Sequence, residues 1–285
     1  MRPNILRELL KAGKPTLGMH LIGPWPGMAE VVGQSGGFDY IEYVGEYSPF
    51  SLEVMDNFCR AIELFPNLGG MMKVEENGRG FITPRAIDSG FQSVLFTDIR
   101  TVDDVKDCIR AVRSERPDAG GVHGYGMRRN VGYVADGPEA WAKAMDDVVI
   151  AIMIEKTGAM DNLEKILSIP GVDMVQFGPS DYSISYGKPA QSRSPEIMDI
   201  QRRMIEMALK KGIAPRVEIV SYEQAKPFVD MGVKHFCIGW DVGIIYSWCN
   251  QNCEGMGKLI PGLQREKPSS KDGGYSGLKQ TYNPK

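Results

Sequence analysis

Eight short β-rich runs, helical patterns between them and a chain of 285 residues predict an α/β protein built as a (β/α)8 TIM barrel. The runs fall at 16–22, 40–44, 70–74, 93–97, 149–155, 173–177, 214–219 and 235–239. Parallel strands need crossover helices, and eight such units close a ring. A doubly wound open sheet is the alternative topology.

Helical period appears at 51–64, with Ser51 placed to cap, at 102–113 behind Thr101, and at 160–168 and 195–211. A further helix at 222–231 opens on the capping-box pattern Ser221-x-x-Gln224. The linker 114–138 breaks the rhythm, being rich in Gly, Arg and Tyr and without period, and a loop of that length tends to be functional or disordered. One barrel domain is expected over 1–260, followed at 261–285 by a flexible tail rich in Gly, Pro, Ser and Lys.

With 42% hydrophobic residues, 24% charged residues and a formal charge of -3, the chain has no basic excess to recruit nucleic acid or an acidic membrane. Cys59, Cys108, Cys237, Cys249 and Cys253 are odd in number and lack CxxC pairing. They indicate neither a disulfide framework nor a thiolate zinc site, and a reducing cytoplasm is expected. No run approaches the roughly 20 apolar residues of a membrane span. Small molecules and copies of the chain itself are the expected partners.

In a barrel of this kind the chemistry sits at the carboxyl ends of the strands. In chain order these ends offer His20, Glu46 with Tyr47, Lys73 with Glu75, Thr97 with Asp98, Glu155, Asp181, Glu218 and Asp241. Exposed rims are polar by default, so most of these side chains need no special account. Two stand out. Glu155 ends the apolar run "VVIAIMIE", where a carboxylate is costly unless it meets a cation. Asp181 follows "VQFGPS", a Gly-Pro turn that offers backbone amides to an anion. Two carboxylates from adjacent strands suit Mg²⁺ or Mn²⁺ better than Zn²⁺. His20, His123 and His235 agree, since no two stand at HxH or HxxH spacing.

The segments "GEYSPF", "IEKTGAMDNLEKILSIPGVDMVQFGPSDYSISYG" and "GVHGYGMRR" resemble the HpcH/HpaI family of class II pyruvate aldolases, over about 18–240 and most specifically over 155–187. The resemblance implies a barrel that assembles as a trimer or hexamer and holds one Mg²⁺, Mn²⁺ or Co²⁺ through Glu155 and Asp181. It implies a 2-oxo acid substrate whose carboxylate meets the turn from Gly178 to Asp181, where Ser180 and Asp181 can donate and Pro179 cannot. The reaction implied is cleavage or formation of a 4-hydroxy-2-oxo acid, with an aldehyde as the other half. The ion acts as Lewis acid for the enolate left when C3 and C4 part.

The departures from the family pattern define the open questions. Val44-Gly45-Glu46-Tyr47 stands where the family has D-G-E-H, so the His of its base dyad is Tyr47 and the Asp is Val44. Lys73 stands for an Arg, His20 for a Trp, Met153 for a Gln and His123 for an Arg. A tyrosine, with a pKa of about 10, is a poor base at neutral pH, so Tyr47 either donates a hydrogen bond or packs on Pro49 and Phe50. His20 either takes over the base or is a hydrogen-bonded loop histidine. Lys73 offers the oxo acid a point charge, with an imine role as the second option. Glu46 is positioned to steady a metal-bound water. His123 and Arg128, in the Gly-rich loop, are candidate substrate contacts. Besides the lyase, a 2-oxo acid decarboxylase, a lyase moved to another substrate and a non-catalytic metabolite-binding barrel remain as alternatives.

Overall fold

The computed structural model describes residues 2–134 and 137–263. Eight parallel strands close a barrel in chain order: β1 (Thr16–Leu21), β2 (Tyr40–Val44), β3 (Gly69–Val74), β4 (Ser93–Phe96), β5 (Val149–Ile154), β6 (Met174–Phe177), β7 (Ala214–Ile219) and β8 (His235–Trp240). Each falls within two residues of the run that the sequence predicts. β8 closes on β1 through Thr16 opposite His235 and His20 opposite Trp240, with the register shifting between Gly18 and His20. Gly239 sits in that irregular stretch at φ +67°, a left-handed conformation that side chains disfavour.

Each helix forms for local reasons. Ser51 accepts from the Val54 amide and starts Leu52–Ile62, and Thr101 with Asp104 completes a reciprocal capping box before Val102–Val112. Pro195–Lys211 starts on Ser194 and ends at Gly212. The expected helix at 160–168 is instead a pair, Thr157–Asp161 and Leu163–Ile166, interrupted at Asn162, whose side chain donates to the Gly158 carbonyl. The expected helix at 222–231 divides into a 3-10 turn, Tyr222–Gln224, and Lys226–Asp230. Its capping box does not form: Gln224 accepts from the amide of Val220, one residue before the cap, and Ser221 caps nothing.

Further helices that the sequence pattern did not announce complete the alternation, among them Ile5–Lys11, Arg79–Ser89, Gly137–Asp147, Pro179–Ser185 and Asp241–Leu259. Ile5–Lys11 plugs the amino-terminal end of the barrel. Its Leu6 packs among Tyr40, Met71, Leu95, Val149, Ala151 and Met174 inside the strands, and burial of the Leu6 side chain contributes about 1.5–3 kcal/mol. A second apolar layer joins the outside of the strands to the helices. Residues 264–285, most of the expected tail, lie outside the described residues. Among the described residues no helix is long and apolar enough to cross a membrane.

His235, at the amino-terminal end of β8, is buried with Nδ1 3.0 Å from Thr16 Oγ1, and burial, aided by Lys234, lowers its pKa from 6.5 to about 4. A depressed histidine contributes stability that is present above its unfolded value and lost as pH falls through the folded one. Unfolding free energy is therefore expected to fall by up to about 3 kcal/mol between pH 6.5 and 4 on account of this group. Urea titrations of His235→Gln against the parent should show a flatter acid limb, and parallel limbs would remove His235 as the cause.

Candidate active site

Alternation along each strand sends every second side chain into the barrel. Arg216 on β7 donates through Nε to Tyr40 Oη at 2.6 Å and pairs with Glu42 on β2 and Gln176 on β6. β2 and β7 are not neighbours in the ring, so this contact crosses the lumen. Arg216 and Glu42 are both fully buried. Burial works against the charge on Glu42, and Arg216, followed by His20 and Lys73, outweighs it and holds the carboxyl below its usual range. The guanidinium stays charged for the same reason. Glu42, Gln176 and Arg216 lie outside the polar rim that the sequence predicts.

Nearer the carboxyl ends lies the acidic corner. Glu155 follows β5, is 2% exposed, and its carboxyl is pushed up to about 7 by burial, with Asp181 adding to the rise and the Asp98 amide and Lys73 opposing it. The Asp98 amide donates to Glu155 Oε1 at 2.8 Å. Asp98 achieves this at φ 59°, unusual for a residue with a side chain, and is fixed there by Thr97 Oγ1 and by Lys156. Asp181 lies in the first turn of Pro179–Ser185, is exposed, and pairs at 3.2 Å with Lys156, which also reaches Asp98 at 2.9 Å. Gly178 is required by contact: a Cβ there would lie 2.6 Å from Glu155 Oε2. Among the described residues no group of three or more His, Cys, Asp or Glu side chains gathers as a ready-made metal cage.

Across the mouth, Lys73 is buried and its ammonium lies 2.6 Å from Glu46 Oε2 and 5.5 Å from the centre of the Tyr47 ring. Burial opposes its charge, but Glu46 and Glu42 overcome that and hold Lys73 above the ordinary lysine value. The Tyr47 ring is 60% exposed, yet desolvation and nearby carboxylates push its phenol up to about 12, against the pull of Lys73. His20 is buried with Nδ1 3.3 Å from Glu42 Oε1 and 3.6 Å from Glu218 Oε1. Asp241 is occupied elsewhere, accepting from the Ile22, Gly23 and Val242 amides to pin the loop after β1.

The structure thus brings together His20, Glu46, Tyr47, Lys73, Glu155, Gly178, Ser180 and Asp181 at one end of the barrel. It sets His123 and Arg128 apart. His123 packs edge-on against Trp141 with Nε2 3.8 Å from Asp88 Oδ1, and its backbone bridges to Ser114 beyond Val102–Val112. Arg128 pairs with Asp56 on Leu52–Ile62. Both lie on the helical shell of their own chain. A cleft of about 610 Å³ on the amino-terminal face holds Arg129, Lys11 and Arg7, but Glu63, Asp147 and Asp173 already pair with them.

A closed parallel barrel with carboxylates and two lysines, Lys73 and Lys156, gathered at its carboxyl ends has the layout of a (β/α)8 enzyme. Comparison with known proteins narrows the class. The HpcH/HpaI aldolase/citrate lyase family model matches residues 58–247, two thirds of the chain, and the chain belongs to that family. Membership makes it a lyase.

Over 249 residues the chain is 28% identical to the 4-hydroxy-2-oxo-heptane-1,7-dioate aldolase of Shigella boydii serotype 18, covering 85% of this chain and 90% of the relative. It is 26% identical over 251 residues to a 2-keto-3-deoxy-L-rhamnonate aldolase of Escherichia coli O17:K52:H18, covering 86% and 89%. In fold it matches the HpcH/HpaI aldolase of Desulfitobacterium hafniense DCB-2 at a TM-score of 0.81 and 18% identity, covering 92% of this chain and 100% of that one.

Proposed function

We propose that the chain is a divalent-metal-dependent carbon–carbon lyase that cleaves or forms a 4-hydroxy-2-oxo acid, with pyruvate or a similar 2-oxo acid as one half and an aldehyde as the other. The carrying observation is Glu155, a buried carboxyl raised to about 7 and lying within the influence of Asp181. Such a group is stabilised in its charged form by a cation it can reach. The donor set fits Mg²⁺, Mn²⁺ or Co²⁺, being hard carboxylate oxygen with Glu155 Oε2 kept clear by the missing Cβ of Gly178. Glu155 and Asp181 would hold the ion, and when bound it supplies a Lewis acid for charge developing on the 2-oxo group. The two aldolase relatives support the substrate class.

The side chains around it divide the remaining work. Lys73 holds the anionic substrate as a point charge that Glu46 orients. The Ser180 and Asp181 amides, in a first helical turn, are free of intrahelical partners and available to a carboxylate. Tyr47, with its phenol pushed up to about 12, stays protonated and donates. Because Lys73 is held in its ammonium form, it is unsuited to the imine route, which needs a neutral amine. A substrate role for His123 or Arg128 requires a second copy of the chain, in the trimer or hexamer that the family resemblance implies. Ile245, Trp248 and Leu259, exposed along Asp241–Leu259, support such an assembly. The free cysteines support a reducing cytoplasm.

With Mg²⁺ or Mn²⁺ the purified protein is expected to release pyruvate from a panel of 4-hydroxy-2-oxo acids, to stop on exhaustive chelation, and to keep its mass when pyruvate and borohydride are added together. Undiminished turnover after chelation, with a reduced adduct on Lys73, would replace this reading by the imine one. Tyr47 and Val44 favour a second reading, a 2-oxo acid decarboxylase, since neither can take a proton from a hydroxyl at neutral pH. Oxaloacetate decarboxylation without any cleavage would identify it.

A further inference from the structure

The lumen holds a second constellation across the ring from the acidic corner, on β1, β2 and β7. His20 is 2% exposed, its Nδ1 lies 3.3 Å from Glu42 Oε1, and its Nε2 is buried with no partner among the described residues. Glu42 commits its other oxygen, Oε2, to Arg216 and leaves Oε1 toward the imidazole. An ionised carboxylate only accepts, so the contact is attractive when Nδ1 carries the hydrogen, and that tautomer leaves the Nε2 lone pair free. Arg216 keeps Glu42 ionised because a guanidinium does not give up its proton in a protein. Glu218 Oε1 also faces Nδ1, but at 3.6 Å, and it is partly exposed with its other oxygen accepting from Gln176. Trp240 borders the ring at 6.4 Å.

We propose that Glu42, locked by Arg216, positions His20 through Nδ1 so that its Nε2 takes the substrate's 4-hydroxyl proton, a role that Tyr47 cannot fill. The proposal rests on the lyase reading above. In the step, the O–H proton passes to Nε2, the C4–O bond becomes a carbonyl, and the C3–C4 bond breaks with its electron pair remaining on the 2-oxo acid half as the enolate. His20, now an imidazolium, faces Glu42, which offsets its charge, and gives the proton up to solvent, from which C3 of the enolate is protonated. No outside reductant or oxidant is needed. The Nδ1 contact is close but not yet aligned as a hydrogen bond, as is common before substrate binds. Glu42 is a positioning residue, and His20 is the group that meets the substrate.

Two measurements test this. The chain has three histidines, so the imidazole nitrogens of ¹⁵N-labelled protein can be assigned by His→Gln variants. Neutral His20 is expected to be protonated at Nδ1, Glu42→Gln to shift it toward Nε2–H, and Glu218→Gln to leave it unchanged. In kinetics, His20→Ala is expected to lower kcat for cleavage by about 100-fold or more with KM nearly constant, and to spare oxaloacetate decarboxylation, which has no hydroxyl to deprotonate. Glu42→Asp should retain more cleavage than Glu42→Gln.

A structural role alone would move neither the tautomer-linked loss nor the split between the two reactions. An Nε2–H tautomer in the parent protein, or a His20→Ala variant that cleaves at the parent rate, overturns the proposal while leaving the lyase reading intact. A parent protein that neither cleaves nor decarboxylates overturns the lyase reading, and with it the substrate role of His20. The tautomer measurement on that protein still decides whether Glu42 holds the ring.

Discussion

Glu155→Gln is expected to eliminate divalent-ion binding in calorimetry and to lower kcat/KM for cleavage roughly 10³-fold, the factor that corresponds to the several kcal/mol a Lewis acid contributes. The same change is expected to stabilise the ion-free protein. The folded-state pKa of Glu155 is raised from 4.5 to about 7, so the carboxyl incurs no penalty while protonated below pH 4.5 and a growing one as pH rises toward 7. At pH 8 the penalty is about 3 kcal/mol, and Gln, uncharged and still able to accept from the Asp98 amide, does not incur it. Urea denaturation of chelated protein at pH 8 should therefore rank Glu155→Gln above the parent. A variant that is both inactive and less stable would mean that Glu155 serves the fold and not an ion.

Arg216→Met is expected to be the most destabilising single change in the lumen, by about 3–5 kcal/mol, because it strands the fully buried Glu42 carboxylate without its cation. The double variant Arg216→Met with Glu42→Leu should recover most of that loss, since an apolar pair of similar volume carries no desolvation penalty. Denaturation midpoints of the two singles and the double form the cycle that measures it. Additive single losses would mean the two groups are not coupled. Activity is expected to stay low in the double variant even where stability returns, because His20 then loses Glu42, the nearer and buried carboxylate at Nδ1. Stability and activity therefore separate in this pair.

The strands were readable because a parallel barrel buries them on both faces, so Val, Ile, Met and Phe accumulate in short runs whatever the function. The helices were less so. Arg79–Ser89 carries Pro84 inside it and Gly80 in its first turn, residues that read as breakers. Ile5–Lys11 shows charges on most sides because only Leu6 of its length is buried, in the barrel floor.

Glu155 and Asp181 stood out in the sequence because a carboxylate ending an apolar run is costly and a Gly-Pro turn is specific. Glu42, Gln176 and Arg216 carried the same kind of signal, a polar residue inside a buried strand two positions from another lumen side chain. What the sequence alone could not supply was their meeting across the lumen, which depends on barrel closure. The Gly-rich loop shows the converse. His123 and Arg128 are conspicuous in sequence, yet Val102–Val112 carries the chain back to the amino-terminal side before they occur, so they pack on the shell. Lys156, next to Glu155, went unnoticed because only the folded chain brings Asp98 and Asp181 to its ammonium.

The most direct measurement is anomalous diffraction at the manganese edge from crystals of the protein soaked with Mn²⁺ and pyruvate. One anomalous peak is expected, bonded to Glu155 and Asp181, with Lys156 withdrawn to Asp98 and the oxo acid beside Lys73. A peak at any other residues, or a pyruvate bound with no metal at that corner, would contradict it.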